Sequence, residues 1–320
     1  MEKLPYELLS LITLQVCKDG GKTVCCLRQV SQYISAAVER YRFYSVALHG
    51  RKQITGFWKS YQAAPKYVKE NIRHLFLSDA KKGSETGSRV SEAFAGALRG
   101  LLIAVSQYLR TLTYLVYNYR QEEPYNVLMK HVFPLLTHLT IRDASLSWRA
   151  SRRRKTCAVQ NLEEALPTTP RLSHVHQAHA YLPNRVATEF RILSNIGWRT
   201  SGDTLRSVHL SGLHLATTVL VYIQEYLGCV PPSTSPYVND RRGRLPSGVQ
   251  RLTLQPAIQD GQYEHLVTMH NNEKKKLRDL QTEREGQDGT QFILLPDAPP
   301  WTQAQFREEW LQMQNDYVYN

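Results

Sequence analysis

The chain has 320 residues, 42% of them hydrophobic and 21% charged, with a formal net charge of +12. That balance suits a folded chain with a sizeable core and excludes a disordered one. Membrane spans are excluded too: Arg99 and Gln107, then His214 and Gln224, break the longest apolar stretches short of the ~20 residues a span needs.

Acidic Glu2 and Glu7 and the intervening Pro5 interrupt any apolar leader at the N-terminus. Five cysteines without a C-x-x-C pair read as reduced thiols, so a cytoplasmic or nuclear location is expected. Residues 1–46 open with Leu4-Pro5 and a first helix whose stripe is Leu8, Leu9, Leu11, Ile12 and Val16. Gly20-Gly21 breaks the chain, and Thr23 is placed to cap a second helix bearing Val24, Leu27, Val30, Ile34 and Val38. A lead-in strand at 44–48 and a helix at 52–61, ended by Pro65, come next. A Gly/Ser/Lys loop at 81–88 precedes the strongest helix, 89–109, with Phe94, Ala97, Leu98, Leu101 and Val105 on one face. Further helices are expected at 125–133, 161–166, 184–196, 215–227 and 264–285, the last with Glu273, Lys276, Arg278 and Glu283 facing water. The loop at 146–157 holds Arg152-Arg153-Arg154-Lys155, read as a solvated surface or a nuclear-import signal, and 231–246 reads as an insertion. A last strand at 291–295 leads to a final helix at 303–314, whose Phe306, Trp310 and Met313 are expected to cap the open end of the chain's array.

That array comes from one recurring pattern, L-x-x-L-x-L. Leu136-Leu139-Ile141 is its clearest copy. Others are Ile72-Leu75-Leu77, Leu112-Leu115-Tyr117, Leu172-Val175-Gln177, Leu205-Val208-Leu210 and Val249-Leu252-Leu254. Six copies of a short strand, alternating with helices at uneven steps, predict an irregular leucine-rich-repeat-like solenoid of the α/β class, with parallel strands inside and helices outside. The domains expected are a helical motif at 1–46 and the repeat region at 47–320.

The N-terminal motif resembles an F-box. The residues carrying the likeness are Leu4-Pro5-x-Glu7-Leu8-Leu9, Ile12, Leu27-Arg28-x-Val30-Ser31 and Tyr44-Ser45-Val46. An F-box leading into irregular leucine-rich repeats is similar to fungal F-box-like proteins. The resemblance implies docking on a Skp-type adaptor of a cullin complex, with Leu4, Pro5, Leu8, Ile12, Leu27 and Val30 facing the adaptor. It further implies a non-catalytic subunit of an SCF-type ubiquitin ligase whose repeats receive a client protein. A second reading stays open, in which the F-box is degenerate and the chain is an interaction scaffold outside any ligase.

No nucleotide-binding, serine-hydrolase or H-E-x-x-H motif occurs, and no cofactor is expected. His174 and His176 have the spacing of metal ligands, but no thiolate or carboxylate lies nearby in sequence, so no metal site is assigned. The positive charge is spread along the chain, which suits acidic protein partners better than nucleic acid. Taking places three and five of each copy as outward-pointing gives the expected client face: His74, Phe76, Tyr114, Val116, His138, Thr140, His174, His176, His209 and Arg251. Aromatic rings, imidazoles and an arginine together suit protein recognition.

Overall fold

The computed structural model describes residues 4–80, 91–117, 128, 131–143, 169–179, 202–215, 217–230, 245–259 and 264–315. The helices expected at 161–166 and 184–196, the loops at 81–88 and 146–157, and most of 125–133 and 231–246 lie outside those residues.

The described residues form an α/β chain of nine α-helices and eight strands. In order they are α1 (Tyr6–Val16), α2 (Lys22–Leu27), α3 (Gln32–Val38), β1 (Ser45–His49), α4 (Arg51–Ala63), α5 (Lys66–Lys69), β2 (His74–Ser78), α6 (Glu92–Val105) and β3 (Thr111–Leu115). There follow β4 (His138–Asp143), β5 (His174–His179), β6 (Ser207–Leu213), α7 (Thr217–Tyr226), β7 (Arg251–Pro256), α8 (Glu264–Arg284), β8 (Gln291–Leu294) and α9 (Gln303–Asn315). The eight-stranded sheet keeps sequence order, β1 to β8. The pairings β1/β2, β2/β3, β5/β6, β6/β7 and β7/β8 are all parallel.

Contacts divide the chain into two compact units, the first holding Met1–Leu139 and Thr302–Asn320, the second Thr140–Ala144 and Cys157–Trp301. In the first, α6 buries Phe94, Ala97, Leu98, Leu101, Leu102 and Val105, with Ser91 capping it by accepting from the Phe94 N–H at 3.3 Å. Gly100 lets α6 approach α4 closely: a Cβ there would come within 2.7 Å of the Trp58 ring. In the second, α8 departs from expectation at Glu273, which is buried instead of facing water, its carboxylate held by Lys276 at 2.8 Å. The strand-facing side of α8 is apolar at Leu277 and Leu280, and Glu273 falls on that same stripe, four residues before Leu277. Lys274 Nζ bonds Asp297 at 2.6 Å, tying the helix to the chain beyond β8.

Five of the six pattern copies begin two residues before their strand, at Ile72, Leu136, Leu172, Leu205 and Val249, and each of these is buried. The copy at β3 is out of step. Leu75 pairs with Leu112 and Leu77 with Tyr114, so the true copy is Leu109-Leu112-Tyr114. Both readings satisfy L-x-x-L-x-L, and they differ by three residues. An odd offset turns every side chain to the opposite face of a strand, so Tyr114 and Val116 lie with Leu77, not with Phe76.

The final helix is also placed differently from expectation. α9 packs on β2 and β3 in the first unit instead of covering the end of the array. Phe306 and Trp310 are wholly buried, and the Trp310 ring sits 5.6 Å from that of Phe76. Two buried glutamines fix the helix at its ends: Ser45 Oγ donates to Gln314 Oε1 at 2.9 Å, and Gln303 Nε2 donates to Ser78 Oγ at 3.2 Å. With helices on one face and α9 on the other, β2 and β3 are buried at every residue. Nothing in the spacing of Phe306, Trp310 and Met313 distinguishes an end cap from a face cover; both need the same stripe.

The N-terminal helices are tied to β1 through the loop between α1 and α2. Gly20 N–H donates to Ser45 Oγ at 3.3 Å, and Ala47 N–H donates to the Gly20 carbonyl at 3.3 Å. Gly20 has φ +83°, and a Cβ there would sit 2.7 Å from Ala47 Cβ. Gly20→Ala combines a left-handed backbone with a clash and is expected to cost about 1–3 kcal/mol, measured by urea denaturation.

Candidate interaction surfaces

α1, α2 and α3 make a very small core. Cys17, Val24 and Val38 are buried together, with Leu27 and Ile34 packed against them. Burial, reinforced by Asp19 and Cys25, pushes the Cys17 thiol up to about 12, so at neutral pH it packs as a small neutral group. Asp19, not Thr23, caps α2: its carboxylate accepts from the Thr23 N–H at 2.9 Å and from the Thr23 hydroxyl at 2.7 Å. Ser31 caps α3 by accepting from the Ile34 N–H at 3.2 Å. Tyr33 Oη donates to the Leu4 carbonyl at 2.8 Å, which pins the start of the chain beside α3. Arg28 and Arg42 both pair with Glu39, at 2.7 and 3.5 Å.

What those helices leave outside is the notable feature. Within α1 the only buried residue is Thr13, whose hydroxyl donates back to the Leu9 carbonyl at 2.7 Å. Leu4 is 42% exposed, Leu8 46%, Ile12 49% and Val30 64%, and Pro5 is exposed beside them. Of the six residues expected to meet an adaptor, only Leu27 turns partly inward, into the small core. Tyr6, Leu11 and Val16 on α1 are exposed as well. Leu11 and Val16, read from the sequence as part of one stripe, therefore face outward: apolar residues run most of the way round α1, more than one buried face can use.

The expected client face divides between the two units. His74 is buried, its Nδ1 lying 3.0 Å from Thr111 Oγ1 and its ring 5.3 Å from that of Tyr44. Burial first, then the nearby cations Arg110, Lys18 and Arg73 and the neighbouring His138, lower its pKa to about 3. Phe76 lies beneath Trp310. Tyr114 and Val116 are buried on the opposite side of β3, and His138 and Thr140 on β4 are buried as well. The expectation that these six residues form an open surface is therefore corrected. In the first unit α9 covers the face that holds Phe76, and the offset register removes Tyr114 and Val116 from it.

In the second unit His176 is buried, His209 half-buried, and His174 and Arg251 exposed. The His176 and His209 rings stack at 4.1 Å and 15°, with Trp301 edge-on to both at 4.7 and 5.8 Å. His176 Nε2 lies 2.8 Å from Ser211 Oγ, and Trp301 Nε1 donates to Gln255 Oε1 at 2.8 Å. Burial, with a smaller contribution from His176, brings the His209 pKa down to about 2 and keeps the ring neutral. Trp301 was missed at the sequence level, since it follows Pro299-Pro300 outside any repeat copy.

In comparisons with known proteins, no family model and no curated sequence matches this chain.

Proposed function

We propose that this chain is the substrate-recognition subunit of an SCF-type ubiquitin ligase. α1 to α3 form an F-box that docks on a Skp-type adaptor. The rest is an irregular leucine-rich-repeat-like array that receives a client. One observation carries the reading: Leu4, Pro5, Leu8, Ile12 and Val30 present apolar surface to solvent from a helical motif whose own core is only a few residues. Exposed apolar side chains in this number on a small helical motif suit a protein interface. The sequence-ordered parallel strands, with a buried residue opening each repeat copy, support the repeat reading. In this role the chain performs no chemistry of its own. It holds a client near ubiquitin transferred by other subunits, and proximity is its contribution.

The test is affinity capture of the full chain from a eukaryotic lysate, with mass spectrometry of the bound proteins. A Skp-type adaptor and a cullin should be recovered with the wild type and lost with Leu8→Asp combined with Ile12→Asp. Recovery of other partners by both proteins, with the adaptor in neither, would favour the scaffold reading instead.

A further inference from the structure

The strands of the two units differ in one respect that bears on the client. β2 and β3 are buried throughout, whereas β7 alternates between buried and accessible residues and β8 buries only Phe292. In the second unit Val175, Val208, Leu252 and Phe292 are paired in register and all buried. The opposite parity gives two rows across the strands. The first is His174, Ser207, Arg251 and Gln291; the second is His176, His209, Thr253 and Ile293. His174, Arg251 and Gln291 are exposed, and Ser207, His209, Thr253 and Ile293 half-buried. Trp301 lies edge-on to His176 and His209 in the second row and reaches Gln255 on β7, while among the described residues His174, Arg251 and Gln291 of the first row stay exposed.

The chemistry of the first row is one-sided. It contains hydroxyl, amide, imidazole and guanidinium groups and no carboxylate. No described carboxylate pairs with Arg251. A fixed cation set among hydrogen-bonding neighbours, on a chain of net charge +12, complements an anion. Four strands about 4.8 Å apart give the first row a length of about 14 Å, the reach of about four extended residues.

We infer that this face is the docking surface for an acidic, extended segment of a client, with Arg251 as its anchor. The segment lies along the first row, one of its carboxylates takes the Arg251 guanidinium in a two-bond fork, and Gln291, Ser207 and Thr253 bond its backbone. Trp301 and the stacked imidazoles of the second row form the wall beside it. The inference extends the client half of the proposed function and is independent of the adaptor surface on α1.

The test uses the full chain and a fluorescein-labelled peptide of six glutamates, with anisotropy as the readout; a hexalysine peptide and a six-nucleotide single-stranded DNA are the comparisons. Hexaglutamate should bind and hexalysine should not. Arg251→Gln should weaken binding about tenfold, as loss of one charge-assisted fork, and Arg251→Lys should recover only part of that. Lys59→Gln, an exposed cation on α4, should leave affinity unchanged. Equal losses in Arg251→Gln and Lys59→Gln, an effect of Arg251→Gln below twofold, or equal competition by the oligonucleotide would overturn the inference, since each means attraction to the whole positive chain. Because Leu8→Asp should not alter peptide binding and Arg251→Gln should not alter adaptor binding, failure of one reading is visible apart from the other.

Discussion

Trp310→Ala is expected to remove about 3–5 kcal/mol of stability from the first unit. The indole is wholly buried, packs 5.6 Å from the Phe76 ring, and lies against the Gly20 turn. It comes from a helix that begins 188 residues after the end of β3 and still further from β2, so the cavity left behind has no local chain that can close it. The substitution should also loosen the N-terminal helices, because Arg307 on the same helix donates to the Asp19 carbonyl at 3.1 Å. Urea denaturation followed by circular dichroism measures the loss, and hydrogen exchange at Ala47 and Phe76 locates it. A change below 1 kcal/mol would show that α9 does not hold the face of β2 and β3.

Acid should destabilise both units well before the carboxylates are neutralised. His74 and His209 have folded pKa values of about 3 and about 2, each held down first by burial. In the unfolded chain both take a proton near pH 6.5. Between those limits the unfolded state binds more protons than the folded one, so stability falls as pH drops below about 6.5. At pH 5 each histidine contributes a loss of about 2 kcal/mol, from about 1.5 pH units at 1.36 kcal/mol each. His270, also lowered by burial and partly compensated by Asp297, adds a loss of the same sign. Urea midpoints at pH 7.5, 6.5, 5.5 and 5.0 should decline steadily over the last three. A flat profile down to pH 5 would mean that these rings are protonated in the fold.

The strand order and most helix positions could be read from the sequence because each rests on a local period. α6 shows its stripe over 14 residues, and the repeat copies mark β2 and β4 to β7. Where two local readings satisfied the same pattern, as at Leu109 and Leu112, the period alone could not choose, and the wrong choice reversed a face. Long-range placement was less legible. Phe306 and Trp310 announce a buried helix face but not its partner, and once α9 is seated on β2 and β3, Phe76 changes from a surface residue to core. His174 and Arg251 kept the exposure expected of them because nothing described covers the first row of β5 to β8. Glu273 shows the converse limit, since a carboxylate reads as solvent-facing until a lysine three residues on is seen to hold it.

The most direct measurement of the central claim is a calorimetric titration of the purified full chain with a purified Skp-type adaptor. The exposed positions of Leu8 and Ile12 allow Leu8→Asp and Ile12→Asp without disturbing the small core of Cys17, Val24 and Val38. The account predicts saturable binding by the wild type and a loss of at least about 2 kcal/mol in binding free energy for either substitution, as for anchor residues at the centre of an interface, with unchanged urea midpoints. An adaptor that does not bind the wild type, or that binds the Leu8→Asp and Ile12→Asp chains equally well, would contradict it.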